Sequence, residues 1–127
     1  MLESKGEYDT LRQDNEKWII DLYNPGAKES DCMITLKTGE GVGYYLSLDN
    51  GDGITLEWDE GIKKTLLLDS KRNLLLDANT GEIYNEYVVE GDFFKIPLGQ
   101  SKLTVKKLGA DSMNDDDVMV EYDYYYL

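Results

Sequence analysis

Three tyrosines are the residues of this chain whose type and position best suit chemistry at a surface. Tyr45 and Tyr125 each lie opposite the apolar face of an alternating segment, and Tyr84 is a third candidate. A tyrosine ring offers an apolar face to pyranose C–H groups and a hydroxyl for hydrogen bonding. We therefore interpret Tyr45, Tyr84 and Tyr125 as candidate carbohydrate-binding residues. For Tyr122 and Tyr124 we favour the alternative, that a period-two run of tyrosines is the half-buried face of a strand.

Acidic side chains could support metal binding. The chain has 26 aspartates and glutamates, and two clusters of them could offer oxygen ligands to calcium. Neither cluster has the spacing of an EF-hand loop, so we interpret both as solvated turns and expect no metal site. The clusters are Asp49, Asp52 and Asp59, and Asp111 with Asp115, Asp116 and Asp117.

Catalysis is not expected from this composition. The chain contains no histidine, which excludes Ser-His-Asp and Cys-His mechanisms and any zinc site that uses imidazole. A glycosidase needs only two carboxylates across a cleft, but acidic residues are so numerous here that no pair stands out. We predict a protein that is not an enzyme and needs no cofactor.

The net charge and the apolar content restrict the partners and the location. The formal net charge is −13, which argues against binding to a nucleic acid backbone. No apolar run approaches the about 20 residues of a membrane span, and the first residues lack the features of a signal peptide. The single cysteine, Cys32, lies in an alternating apolar pattern and is interpreted as a small buried residue. We expect a soluble, unexported chain made in a reducing cytoplasm, without a membrane partner.

Short strands must position the candidate tyrosines. The chain is organised around Thr65–Asn85, where three apolar runs separated by two polar turns predict a β-meander. Alternation of apolar and polar residues predicts further strands. Their apolar faces are Trp18, Ile20 and Leu22; Cys32, Ile34 and Leu36; Val42, Tyr44, Leu46 and Leu48; Ile54, Leu56 and Trp58; and Val118, Val120, Tyr122, Tyr124 and Tyr126. Strands are also expected over 82–89, over 92–96 and around 103–105.

The strand pattern predicts the fold class. About eight to ten short strands, spaced roughly 8–12 residues apart with glycine, asparagine and aspartate in the turns, are typical of an all-β domain. One polar face per strand favours antiparallel pairing in two sheets that bury their inner faces against each other. We predict a two-sheet antiparallel β-sandwich, galectin-like or jelly-roll, over residues 17–127. Residues 1–16 are mostly polar and are interpreted as a linker or disordered N-terminal segment.

Several turns and strands are informative through their order along the chain. They are the Asn24-Pro25-Gly26 turn, the Leu68-Asp69 turn into Leu74-Leu75-Leu76, Gly81, the segment 94–105 (FKIPLGQSKLTV) and the tyrosine-rich ending 118–127. In this order, from about Lys17 to the end of the chain, the sequence resembles the C-terminal domain of siphovirus-type distal tail proteins.

The resemblance implies a structural component of the tip of a phage or phage-like tail. In that family an N-terminal belt domain forms a ring between tail tube and tail tip, and the C-terminal galectin-like sandwich meets baseplate proteins or, in some members, cell-surface sugars. The belt domain is missing here, so residues 1–16 would be the hinge from it, and homo-oligomers would form only through that missing domain. The implied location is the virion tail, after synthesis in the host cytoplasm.

Two hypotheses follow. The first is a non-catalytic structural or adaptor domain of a tail tip, with other tail-tip or baseplate proteins as partners. The second is a carbohydrate-binding module that recognises a bacterial surface polysaccharide through many weak copies. A concave sheet face with at least two exposed aromatics flanked by amide or acidic side chains would favour the second. A convex face with scattered charges would favour the first.

Overall fold

The computed structural model describes residues 2–7, 10–14, 17–109 and 117–126, with side chains described for 17–109 and 117–123. Over these ranges the period-two patterns form eleven strands. In chain order they are β1 (Leu2–Glu7), β2 (Thr10–Asp14), β3 (Lys17–Asn24), β4 (Cys32–Lys37), β5 (Gly43–Leu48), β6 (Gly53–Glu57), β7 (Thr65–Asp69), β8 (Leu74–Asp77), β9 (Val88–Gly91), β10 (Gly99–Leu108) and β11 (Val118–Tyr126). The described helical structure is short: a three-residue 3-10 turn, Asn85–Tyr87, and 3-10 geometry at Asp117, and no helix in this part of the chain could cross a membrane.

The strands pair into two antiparallel sheets. The five-stranded sheet has the order β1-β11-β4-β7-β8, and the six-stranded sheet has the order β2-β3-β10-β5-β6-β9. The long strand β10 lies between β3 and β5, so that it joins distant parts of the sequence. Buried side chains from both sheets form one hydrophobic core. This confirms the predicted all-β class and the two-sheet antiparallel sandwich.

The predicted inward faces are buried. Trp18, Ile20 and Leu22 point from β3 into the core, and burying such side chains stabilises the fold by about 1.5–3 kcal/mol each. The other predicted inward positions found buried are Cys32, Ile34, Leu36, Tyr44, Leu46, Leu48, Ile54, Leu56, Trp58, Val118, Val120 and Tyr122. Val42 precedes β5 and is only half-buried. Tyr124 and Tyr126 lie in β11, but their side chains are outside the described set.

Two buried tyrosines connect the sheets. Tyr44 in β5 donates its hydroxyl to the backbone carbonyl of Lys37 in β4, at 2.6 Å. Tyr122 in β11 donates to the carbonyl of Tyr23 in β3, at 2.8 Å. Each ring fills the core while its hydroxyl satisfies a backbone group of the opposite sheet. The structural interpretation of Tyr122 is therefore confirmed.

Cys32 is a core residue of β4. Its side chain is buried, and burial raises the pKa of the thiol to about 12, although a hydrogen bond with Ser70 acts in the opposite direction. The sulfur also contacts the carbonyl of Phe94 at 3.6 Å. Because the nucleophilic thiolate is disfavoured, Cys32 acts as a small apolar residue, as its position in the alternating pattern predicts.

The N-terminal segment differs from the sequence-based expectation. Residues 1–16 were expected to be a linker or a disordered segment, whereas β1 and β2 lie within them. β1 pairs with β11 at one edge of the five-stranded sheet, and β2 pairs with β3 at one edge of the six-stranded sheet. Edge strands are held by backbone hydrogen bonds and are commonly polar, so a polar sequence does not prevent this pairing.

The expected strands over 82–89 and 92–96 are wrong. In the first segment Ile83 makes an isolated bridge to Leu76, the chain then turns through the 3-10 helix, and only the last two residues, Val88 and Val89, lie in a strand, at the start of β9. In the second, only Ile96 pairs, with Ser30. Apolar residues occur at both odd and even positions here because the chain changes direction and buries individual side chains. The alternation of a regular strand is therefore absent from these segments.

The first two strands of the predicted meander are found as the hairpin β7–β8, whereas the third run makes only the isolated bridge between Ile83 and Leu76. Both strands of the hairpin end at an aspartate that binds the backbone of the following turn. Asp69 terminates β7 and accepts hydrogen bonds from the backbone N–H groups of Lys71 and Arg72, at 3.0 and 3.3 Å. Asp77 terminates β8 and accepts from the N–H groups two and three residues later, at 2.7 and 3.2 Å. Aspartate favours turns because its short side chain can bind the backbone that follows it.

We expect acid to destabilise the fold through these two turns. Burial raises the pKa of Asp69, but hydrogen bonds and charge from Arg72, with the N–H of Lys71, outweigh burial and lower it below 3.8. The N–H of Asn79 is the main cause of the lowered pKa of Asp77. A pKa that is lower in the folded than in the unfolded chain adds stability that is lost as the pH falls through the folded value.

Urea titrations from about pH 5 to about pH 2 measure this effect. The midpoint should fall more steeply for the wild type than for Asp69→Asn/Asp77→Asn, because asparagine keeps the acceptor oxygen but does not titrate. Glu57→Gln/Glu90→Gln removes two exposed carboxylates and corrects for net charge. Equal slopes for wild type and the turn variant would contradict the prediction.

Candidate functional site

Tyr45 lies on the outer face of the six-stranded sheet. Its side chain is 42% exposed, and its cross-strand neighbours are Lys106 in β10 and Thr55 in β6. The other exposed aromatic on the described part of this face is Tyr23, which pairs with Gln100. Gln100 and Lys106 are six positions apart along β10, which separates the two tyrosines by about 20 Å along the strand direction. Tyr45 is therefore a single aromatic contact beside a lysine.

Tyr84 is half-buried in the connection between β8 and β9, where its ring already has partners. The ring stacks on Tyr87 with centroids 5.0 Å apart, and the Lys64 ammonium lies 5.3 Å from the Tyr84 centroid. Its hydroxyl donates to Glu82 at 2.8 Å. Lys64 also approaches Asp77 at 3.4 Å, so this group ties the β8 turn to the 3-10 helix. Because these neighbours already contact its ring and its hydroxyl, we interpret Tyr84 as a structural residue.

The three predicted sugar-binding tyrosines are not brought together on one sheet. Tyr125 belongs to β11 in the five-stranded sheet, where it is opposite Glu3 of β1, and its side chain lies outside the described set. Tyr45 belongs to the six-stranded sheet. The alternation of apolar and polar residues predicts that Tyr45 points outward. It could not show that β5 and β11, which carry Tyr45 and Tyr125, belong to different sheets.

The acidic clusters have other roles where they are described. Asn50 accepts the Asp52 N–H at 2.9 Å in a hairpin turn, as expected for a solvated loop. Asp117 is buried and accepts a hydrogen bond from Lys107 at 3.2 Å. Asp111, Asp115 and Asp116 lie outside the described residues. Within the described part of the chain, no group of three or more cysteine or acidic side chains is placed to hold a metal ion.

The outer face of the five-stranded sheet is more apolar than the alternation of its strands predicts. Leu67 points outward from β7 between the buried Leu66 and Leu68, and it is half-buried. Met33 is half-buried at an outward position of β4, and Met119 of β11 is 37% exposed. Met119 and Leu67 both pair with the same β4 residue, Thr35, so the three apolar residues surround one threonine on this face.

The sequence contained a signal for this face that the meander interpretation did not use. Three consecutive leucines, as in 66–68 and 74–76, must place at least one leucine on each side of a strand. Strands with apolar residues on both sides are typical of sheets that are covered on both faces. The described residues leave Leu67 only half-covered.

A groove lies at one end of this face. It encloses about 410 Å³, and Met33 and Leu67 contribute its apolar surface. Among the residues whose side chains are described, the charged ones that line it are Asp31, Asp69, Glu121, Asp123 and Lys71. We call this feature the acidic groove.

Two of the carboxylates of the acidic groove form ion pairs with neighbouring side chains. Arg72 binds Asp69 at 2.7 Å, and Lys95 approaches Asp31 at 3.7 Å. Along β11 the outward positions are Glu121 and Asp123, two residues apart and therefore about 7 Å from each other. The groove thus places apolar side chains next to acidic ones.

The two outer faces offer different chemistry. The six-stranded sheet presents an isolated tyrosine beside lysine, and the five-stranded sheet presents apolar side chains next to carboxylates. Comparison with known proteins found no matching family model, no matching curated protein and no matching solved structure.

Proposed function

We propose that this chain is a non-catalytic structural or adaptor domain that docks to neighbouring proteins at the tip of a phage or phage-like tail. The observation that carries the adaptor role is the apolar outer face of the five-stranded sheet, formed by Met33, Leu67 and Met119. Apolar side chains grouped on an outer face mark contact surfaces, because leaving them in water is unfavourable.

The tail location rests on the resemblance described above. The order of the Asn24-Pro25-Gly26 turn, the leucine meander and the segment 94–105 supports it. A domain in that position works by attaching to other tail-tip or baseplate proteins. An apolar face beside a strongly charged rim is suited to that task, since the apolar part supplies affinity and the charges select the partner.

Immunogold electron microscopy tests the tail location. An antibody raised against the purified chain is applied to tail-like particles isolated from the organism that encodes it. We expect label at one end of the tail, and antibody preadsorbed with the purified chain is the control. Intact tails without label, in a preparation whose cells contain the chain, would refute the tail assignment.

Tyr45 supports a second candidate function, binding of a bacterial surface polysaccharide. Its exposed ring can stack on a sugar, while Lys106 and Thr55 next to it can hydrogen-bond hydroxyl groups. A glycan array with wild type and Tyr45→Ala tests this role, with Tyr23→Ala as the matched loss of an exposed tyrosine on the same face. Binding that only Tyr45→Ala removes would favour this function, and no binding by the wild type would exclude it for the glycans tested.

A further inference from the structure

We propose that Asn50 is a site of spontaneous deamidation, where the side-chain amide is converted into aspartate or isoaspartate. Asn50 is the one asparagine of the sequence that is followed by glycine. It lies in the hairpin turn between β5 and β6, and both Asn50 and Gly51 are exposed. The reaction requires no partner and is independent of the proposed function.

The reaction uses only this dipeptide and water. The backbone nitrogen of Gly51 attacks Cγ of Asn50 and loses its proton, the new N–Cγ bond forms, and the Cγ–Nδ2 bond breaks so that ammonia leaves. The product is a cyclic succinimide, which water opens at either carbonyl. Cleavage between the nitrogen and Cγ gives aspartate. Cleavage between the nitrogen and the backbone carbonyl carbon gives isoaspartate, in which the main chain runs through Cγ.

Gly51 leaves its backbone nitrogen accessible. Its φ is +99°, and a Cβ atom at this position would have no heavy atom within 4 Å apart from its chain neighbours. A glycine in open space has no side chain to shield its nitrogen, and it changes backbone conformation at low cost. The nitrogen can therefore approach Cγ of Asn50 when the turn opens.

The turn prepares one reacting group and restrains the other. Oδ1 of Asn50 accepts the Asp52 N–H at 2.9 Å, and Nδ2 donates to the Asp52 carboxylate at 3.3 Å. A hydrogen bond to Oδ1 stabilises the negative charge that develops there when Cγ is attacked. The Gly51 N–H donates to the carbonyl of Leu48 at 3.1 Å, and this bond must break first. Opening of the turn therefore controls the rate.

The structure separates this dipeptide from a second one of the same chemical type. Asp52-Gly53 follows directly and could form the same cyclic imide. Gly53 begins β6 and packs closely, since a Cβ atom there would lie 2.8 Å from the carbonyl oxygen of Leu46. Its nitrogen is held in the strand, so the reaction is expected at Asn50.

Mass spectrometry tests the site on the purified, folded chain, incubated in mildly alkaline buffer made with heavy-oxygen water. We expect the peptide that contains Asn50 to change from amide to acid and to gain one heavy oxygen. The change should be about tenfold faster than at Asn73 and Asn79, exposed turn asparagines that precede larger residues. Asn50 that stays amidated, or that converts no faster than these controls, would overturn the proposal.

A synthetic peptide of residues 46–56 tests the control by the turn. It contains the same dipeptide without the folded hairpin, so it should deamidate about tenfold faster than the folded chain. Equal rates would contradict control by the turn.

The stability of the products tests the effect on the hairpin. Anion exchange separates the aged chain into its forms, and Asn50→Asp provides the same charge with a normal backbone. The isoaspartate form should melt about 3–6 °C below Asn50→Asp, because the extra main-chain atom moves the Gly51 N–H away from the Leu48 carbonyl. An isoaspartate form as stable as Asn50→Asp would contradict this effect.

Discussion

Replacing Trp58 with alanine should lower the free energy of unfolding by about 3–5 kcal/mol, as for other large buried aromatics. The side chain is only 7% exposed, and its indole nitrogen donates to the carbonyl of Gly41 at 2.9 Å. Its ring lies 6.0 Å from Tyr44 and 6.1 Å from Tyr87, measured between centroids. Truncation would therefore leave a cavity, an unpaired carbonyl and two rings without their common neighbour.

Trp18 offers a matched control for the Trp58 hydrogen bond. Both indoles are buried, but Trp18 Nε1 has no hydrogen-bond partner among the described residues. Substitution by phenylalanine removes an N–H in each case, so Trp58→Phe should cost about 1–3 kcal/mol more than Trp18→Phe. Urea titrations followed by circular dichroism measure the differences. A Trp58→Ala variant as stable as wild type would contradict the inward assignment of β6.

Removing Asp117 alone should destabilise the fold by about 3–5 kcal/mol, because it would leave Lys107 as an unpaired buried charge. The Lys107 ammonium lies 3.2 Å from the Asp117 carboxylate, and the two side chains are 6% and 10% exposed. The same ammonium lies 5.8 Å from the centre of the Tyr44 ring. It also packs beneath Gly39, where a Cβ atom would come within 2.6 Å of it.

The double replacement Lys107→Met/Asp117→Leu shows how much of the lost stability comes from leaving one buried charge without its partner. Replacing both charges by apolar groups of similar size should recover most of the loss seen for Asp117→Ala, and buried ion pairs exchanged this way often gain stability. Denaturant titrations of the wild type, Lys107→Met, Asp117→Leu and the double variant form a cycle that gives the coupling. A loss for Asp117→Ala below about 1 kcal/mol would mean that water reaches Lys107.

Only part of the candidate site could be predicted from the sequence. Period-two parity identified Tyr45 as outward, since the opposite positions Tyr44 and Leu46 are buried. Parity could not show that Tyr84 is already in contact with Tyr87 and Lys64, because those contacts lie in an irregular connection. The acidic groove was missed because it joins three strands that are distant in sequence.

The sequence by itself determined which side of each regular strand faces the core, and where the meander turns. Leu66 and Leu68 are buried and Asp69 and Asp77 end their strands, because apolar alternation and aspartate turns act over a few residues. Only the tertiary structure decided which strands are neighbours. Pairing between distant segments placed β11 beside β4, buried Lys107 against Asp117, and put Tyr45 and Tyr125 on different sheets. Those outcomes depend on long-range register and on the packing of two sheets, which no local pattern encodes.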